Sequence, residues 1–216
     1  MKKLLLALIY CASLQANIIT DLQNNVIEDF IPLLENKFGS CGEKSCIEFD
    51  DGKYYFKGES ERVCLPWTAC SFYSCMEDKY NCEDQKVNYF TELAEPTCNQ
   101  YVKNIGDNVY SQEGKEWVYS VMVCLQKGLI EECSLNDNCD IATPRVSCQH
   151  IVDFTLDYHP GCYIGSGIGV CNLSFSDKWK IWKTVNPFMT KEERKQAWRV
   201  VWYCLLPNKS KMPRGF

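Results

Sequence analysis

Cysteine constrains this chain more than any other residue. There are 15 among 216 residues, a density that leaves cross-linking, metal binding or redox chemistry as the choices. The N-terminal segment narrows them. Lys2 and Lys3 precede an apolar run, Leu4 to Leu14, followed by the small residue Ala16. This is the charged start, short greasy core and small-residue exit of a secretory signal peptide. The run is too short to cross a hydrocarbon layer of roughly 30 Å as a helix. No later stretch is long and apolar enough to span a membrane. A lipid anchor on Cys11 is disfavoured by bulky Ile9 and Tyr10 before it. Cleavage after Ala16 removes Cys11 and leaves an even number of cysteines. The mature chain is therefore expected outside the cell, where disulfides persist.

Zinc sites show paired CxxC or CxxH knuckles. The cysteines here stand at Cys41, Cys46, Cys64, Cys70, Cys75, Cys82, Cys98, Cys124, Cys133, Cys139, Cys148, Cys162, Cys171 and Cys204, with no CxxC and only two histidines. All of them are read as half-cystines, with no metal and no cofactor expected. Apolar residues make up 46% of the chain, with six tryptophans. The bridges thus reinforce a real core rather than replace one.

The pattern divides the chain into a signal peptide (1–16), an N-terminal helix-and-hairpin appendage (17–63), a disulfide-rich helical domain (64–206) and a basic tail (207–216). Ile18, Leu22, Val26, Ile27, Phe30, Leu34 and Phe38 recur at helical spacing, with Pro32 expected to kink or divide the helix. Asp51-Gly52 predicts the turn of a hairpin over residues 46–57, the one sheet expected. Further helices are expected over 65–80 and 87–105, the latter interrupted or started at Pro96. Ser111 caps a helix with Trp117, Val121, Cys124, Leu125 and Leu129 on its stripe. Thr143-Pro144 opens another with Cys148, Ile151, Val152 and Thr155, ending at Pro160-Gly161. Ser176 is read as the cap of a helix bearing Trp179, Trp182 and Val185. Thr190 and Glu193 form a capping box for the last helix, with Ala197, Val201, Cys204 and Leu205 inward. The fold class is all-α: a disulfide-clamped helical bundle with one small N-terminal β-hairpin.

From Cys64 to Cys204 the chain resembles the stanniocalcins, secreted disulfide-rich helical glycoproteins. FYSC-MED-KYNC is similar to the family's tight cysteine trio. YSQEGKEWVYSVMVCLQKGL is similar to its aromatic, glycine-lysine helix leading into a cysteine. The spacing of Cys148, Cys162 and Cys171 and the closing helix at Cys204 continue the likeness. The resemblance implies bridges Cys64–Cys75, Cys70–Cys98, Cys82–Cys148, Cys124–Cys162 and Cys171–Cys204. Cys41, Cys46, Cys133 and Cys139 are then left over, and each neighbouring pair is expected to close a local loop. The family's interchain cysteine has no counterpart after Cys204, so no disulfide-linked homodimer is expected. Its sequon within the trio is missing too. Glycosylation is expected instead at Asn208 and, beside a half-cystine, at Asn172.

The resemblance implies a hormone-like regulator of calcium and phosphate balance, or an inhibitor of an extracellular metalloproteinase, acting by binding a receptor or protease without catalysis. Nucleic acid is not an expected partner. A secreted hydrolase of phospholipase-like type is the alternative, built on His150, Asp153, Asp157 and His159, though His150 is followed by Ile151 rather than aspartate. A purely structural extracellular binding module is a third reading. Asn136, Asp137, Asn138 and Asp140 lack the ligand order of an EF-hand loop, and the glycines from Gly165 to Gly169 follow no strand, so both read as turns.

From Asp177 onward ten Lys/Arg stand against three Asp/Glu, a net of +7, whereas residues 17–176 hold eleven against twenty-five, a net of −14. The basic end suits an anionic glycan, a phosphate or an acidic partner. The plainer expectation is that the basic helices lie on the acidic body and neutralise it. Trp179 and Trp182 among Lys178, Lys180 and Lys183 are likewise read as a core stripe with a solvated lysine face, in preference to a membrane contact.

Overall fold

Turn chemistry and cross-strand pairing build the sheet. The computed structural model describes residues 30–41, 46–66 and 70–206. The signal segment, most of the first helical stripe, and the tail fall outside them. Strand β1 (Ile47–Asp50) pairs antiparallel with β2 (Lys53–Lys57) in the register Ile47↔Phe56 and Asp50↔Lys53. Asp51 and Gly52 both have positive φ, as a two-residue hairpin turn of the right twist requires. A third strand, β3 (Arg62–Cys64), adds to β2 through Tyr55↔Cys64 and Lys57↔Arg62. The expected hairpin is thus a three-stranded sheet. Two strands alone are marginal in water; β3 extends the pairing and buries Val63 beside Phe56.

Helix α1 covers residues 30–38, with Pro32 inside the described segment. Its inward residues Phe30, Leu34 and Phe38 belong to the same buried cluster as Phe56, Val63, Met76, Phe90, Trp117 and Ile151. The boundary expected between residues 63 and 64 falls inside β3, and one core runs across it.

The rest is helical. Helix α2 (Ser71–Tyr80) ends on Asn81 in the left-handed region. A π-helical turn, Tyr89–Ala94, leads into α3 (Glu95–Gly106), with Pro96 in the first turn where its missing N–H costs nothing. Helix α4 (Gln112–Ile130) starts at Ser111, whose hydroxyl accepts from the Gly114 amide, and continues as a π-helical turn, Glu131–Leu135. Helix α5 (Pro144–Gly165) begins after Thr143, whose side chain makes no capping bond. It runs past Pro160-Gly161, where an end was expected. An interior proline removes a helix bond. Here Cys162 is bonded to Cys124 of α4, and Trp117 Nε1 donates to the Tyr163 carbonyl at 3.0 Å, which together hold the last turn. After a 3₁₀ turn, Val170–Asn172, come α6 (Phe175–Val185) and α7 (Lys191–Leu205), the latter with the expected Thr190/Glu193 capping box. The cap of α6 is Ser174, not Ser176.

Seven disulfides clamp these elements: Cys41–Cys46, Cys64–Cys75, Cys70–Cys98, Cys82–Cys148, Cys124–Cys162, Cys133–Cys139 and Cys171–Cys204. They are the same pairs as those expected.

Two expected stripes turn outward in part: Val185 is buried as expected and Trp182, Ala197 and Cys204 are half-buried, but the other members face solvent. On α6 the buried residues are Asp177, Ile181, Thr184 and Val185, while Trp179 is exposed. On α7 Val200 and Tyr203 are buried, while Val201 and Leu205 face solvent. The cause on α6 is that the inward polar residues have partners. Thr184 Oγ1 lies 2.6 Å from Tyr110 Oη and accepts from Asn104 Nδ2 at 2.8 Å.

Candidate functional site

The residues of the hydrolase alternative separate. On α5, His150, Asp153 and Asp157 share a face as their spacing implies, and His159 lies on the opposite one. His150 Nε2 is 2.7 Å from Glu132 Oε1, and Asp153 accepts from Gln149 at 3.1 Å. His150 and Asp153 border an open groove with Asp84, Lys86 and Arg145. His159 points inward instead, its Nε2 3.3 Å from Tyr89 Oη. Among the described residues, no nucleophile–base–carboxylate arrangement joins the two histidines.

His159 borders a cavity of about 60 Å³ whose walls include Tyr73, Tyr89, Tyr101, Trp117 and Tyr163. That is room for about two waters. Burial lowers the His159 pKa to about 4, so the ring is neutral at physiological pH. Burial raises the four tyrosines. The cage is suited to holding an uncharged imidazole among aromatic rings, a packing role.

A second buried polar node joins two helix starts. Asp177 Oδ1 accepts from the Ser111 amide at 2.9 Å; Oδ2 accepts from the Ser111 hydroxyl at 2.7 Å and the Ser174 hydroxyl at 2.8 Å. Burial pushes this carboxyl upward, but those hydrogen bonds and the Lys180 charge outweigh it, so its pKa lies below the ordinary value. A carboxylate near two helix N-termini also meets the positive ends of their dipoles. Gly114 makes the approach feasible: a Cβ there would lie 2.9 Å from Asp177 Oδ1. Sequence reasoning missed this node, although Ser174-x-x-Asp177 has the spacing of a cap and its third helical residue.

Among the described residues, the outer face of α6 and α7 gathers most of the exposed aromatic side chains. Phe175, Trp179, Trp198, Trp202 and Leu205 each expose more than half of their area, from 51% at Trp179 to 83% at Phe175. Trp182 and Trp198 meet with ring centroids 6.1 Å apart, bridging the helices. Lys183 Nζ stands 5.4 Å from the centre of the Trp179 ring.

Other expected positions are plain in character. Asp137 pairs with Lys37 at 2.6 Å, and Asp140 Oδ1 accepts from the Ala142 amide, so the acidic turn after α4 is committed to its own surroundings. Gly167 and Gly169 have positive φ, the conformation a turn needs. Among the described residues, Glu35, Cys41 and Cys46 are the one grouping of three potential metal ligands, and both sulfurs are in a disulfide. Asn172 is exposed, with its amide donating to the Ile168 carbonyl at 2.5 Å. Asn208 lies outside the described residues. No described helix is long and apolar enough to cross a membrane.

Compared with known proteins, the chain matches no protein-family model, no curated protein and no solved structure.

Proposed function

We propose that this is a secreted, stanniocalcin-like regulatory protein that acts by binding an extracellular protein, a receptor or a protease. The observation that carries the reading is the cysteine pairing. The five long-range bridges between Cys64 and Cys204 coincide with those the resemblance implies. The split of His150 from His159 weighs against the hydrolase alternative. The protein's action is hormone-like control of calcium or phosphate, or inhibition of an extracellular metalloproteinase.

Titration of the purified, oxidised protein against secreted zinc metalloproteinases tests this, alongside calcium and phosphate uptake by cells. Stoichiometric inhibition, or a saturable change in uptake, is expected. No effect in either assay, combined with substrate turnover lost in His150→Ala, overturns the reading in favour of the hydrolase.

A further inference from the structure

We propose that the outer face of α6 and α7 docks on an anionic lipid surface. Phe175, Trp179 and Trp182 stand at i, i+4 and i+7 on α6, and Trp198, Trp202 and Leu205 repeat that spacing on α7. Each set therefore lies along one side of its helix. The Trp182–Trp198 contact joins the two stripes near the turn between the helices, and Cys171–Cys204 ties them at the other end. The two exposed stripes thus meet at one aromatic contact, and the 3₁₀ turn before α6 is bonded covalently to the last turn of α7. Contiguous apolar surface left in water marks a contact site.

Charge selects the partner. Lys191, Arg194 and Lys195 occupy the first turns of the same side of α7 that later carries Trp198, Val201, Trp202 and Leu205. Among the described residues, none of Lys180, Lys183, Lys191, Arg194, Lys195 and Arg199 forms an ion pair with a carboxylate. The basic helices do lie on the body, α7 on α5 and α6 on α3, but these six cations are left without close carboxylate partners. Two copies meeting through this face would set cations against cations. A sulfated glycan would satisfy the cations and leave the tryptophans in water. An anionic bilayer satisfies both, because indole rings settle at headgroup depth while lysine and arginine reach the phosphates. Residues 17–176, with their net of −14, are repelled by the same surface, which sets the basic face toward the lipid. This inference rests on the α6–α7 geometry and is independent of the stanniocalcin-like reading.

Cosedimentation of the oxidised protein with vesicles tests it, comparing phosphatidylcholine alone with equimolar phosphatidylcholine and phosphatidylserine. Binding to the mixed vesicles is expected, with a blue shift of tryptophan emission and weakening as salt rises. Trp198→Ser with Trp202→Ser abolishes binding, and Arg194→Ala weakens it about fivefold. Circular dichroism and the non-reducing peptide map verify the fold of each variant. Should the double serine variant misfold, Lys191→Glu with Lys195→Glu carries the same expected loss. Lys57→Ala on the sheet leaves binding unchanged. Equal binding to both vesicles, no binding to either, or binding retained by the serine or glutamate variants overturns the proposal. Capture by soluble heparin without vesicle binding reassigns the face to a glycan. A dimer in sedimentation velocity that the serine variant dissociates assigns it to a second copy.

Discussion

Helices α5 and α7 pack against each other, yet they dispose of their apolar residues in opposite ways. Helix α5 turns Cys148, Ile151, Pro160 and Cys162 inward, and two disulfides bind it to the body. Helix α7 commits Val200 and Tyr203 to the core, leaves Trp198, Val201, Trp202 and Leu205 outside, and is held by one disulfide in its last turn. Hydrophobic sequence thus serves two purposes here. In α5 it builds the scaffold, and in α7 half of it builds a surface.

The largest effect that tests this contrast is loss of an α5 bridge. Cys82→Ala with Cys148→Ala opens a loop whose ends are 66 residues apart. It should cost about 4 kcal/mol in chemical denaturation. Removing Cys171–Cys204, with a separation of 33, should cost about 0.6 kcal/mol less on loop length alone. A reversed order would break the comparison.

His159 sharpens it further. Its pKa falls from 6.5 to about 4 on folding, so the unfolded chain takes up the proton first. Stability is full above about 6.5 and declines as pH falls toward 4, by about 3 kcal/mol in all. Denaturation midpoints across that window should fall in the wild type and lose this component in His159→Gln.

Asp177 gives the corresponding test on α6, with an effect of about 2 kcal/mol for Asp177→Asn at neutral pH. Its folded pKa is depressed, so its contribution is present above the ordinary carboxylate value of 3.8 and is lost as pH falls through the lower folded one. Wild type and variant should converge in stability in acid.

The smallest effect belongs to the outer face. Trp202→Ser should change stability by no more than about 0.5 kcal/mol. Val200→Ala, two residues away on the inner side, should cost about 1.5 kcal/mol. Equal costs would mean that the two faces of α7 are not distinct.

The parts legible from sequence are those whose signal is local. Asp51-Gly52 announces its turn, Ser111 and Thr190 announce their helices, and the stripe of Trp117, Val121 and Leu129 points inward as read. The misreadings share one cause, a partner distant in sequence. Thr184 and Asp177 look like solvent-facing residues until Tyr110, Asn104 and Ser111 are placed beside them. With those polar groups satisfied inside, Trp179 is displaced outward. Pro160 looks like a stop until Cys124 and Trp117 hold the turn beyond it. Strand β3 is only three residues long and pairs with a strand that its own sequence cannot reveal.

The order of the bridges along the chain also governs what a protease would release. Cys64–Cys75, Cys70–Cys98, Cys82–Cys148 and Cys124–Cys162 interlock in succession, so one backbone cut anywhere from Cys64 to Cys162 leaves a single covalent molecule. No bridge crosses the stretch from Gly165 to Gly169. One cut there would leave the α6–α7 pair as a separate cystine-closed polypeptide, held to the acidic body by packing and hydrogen bonds alone.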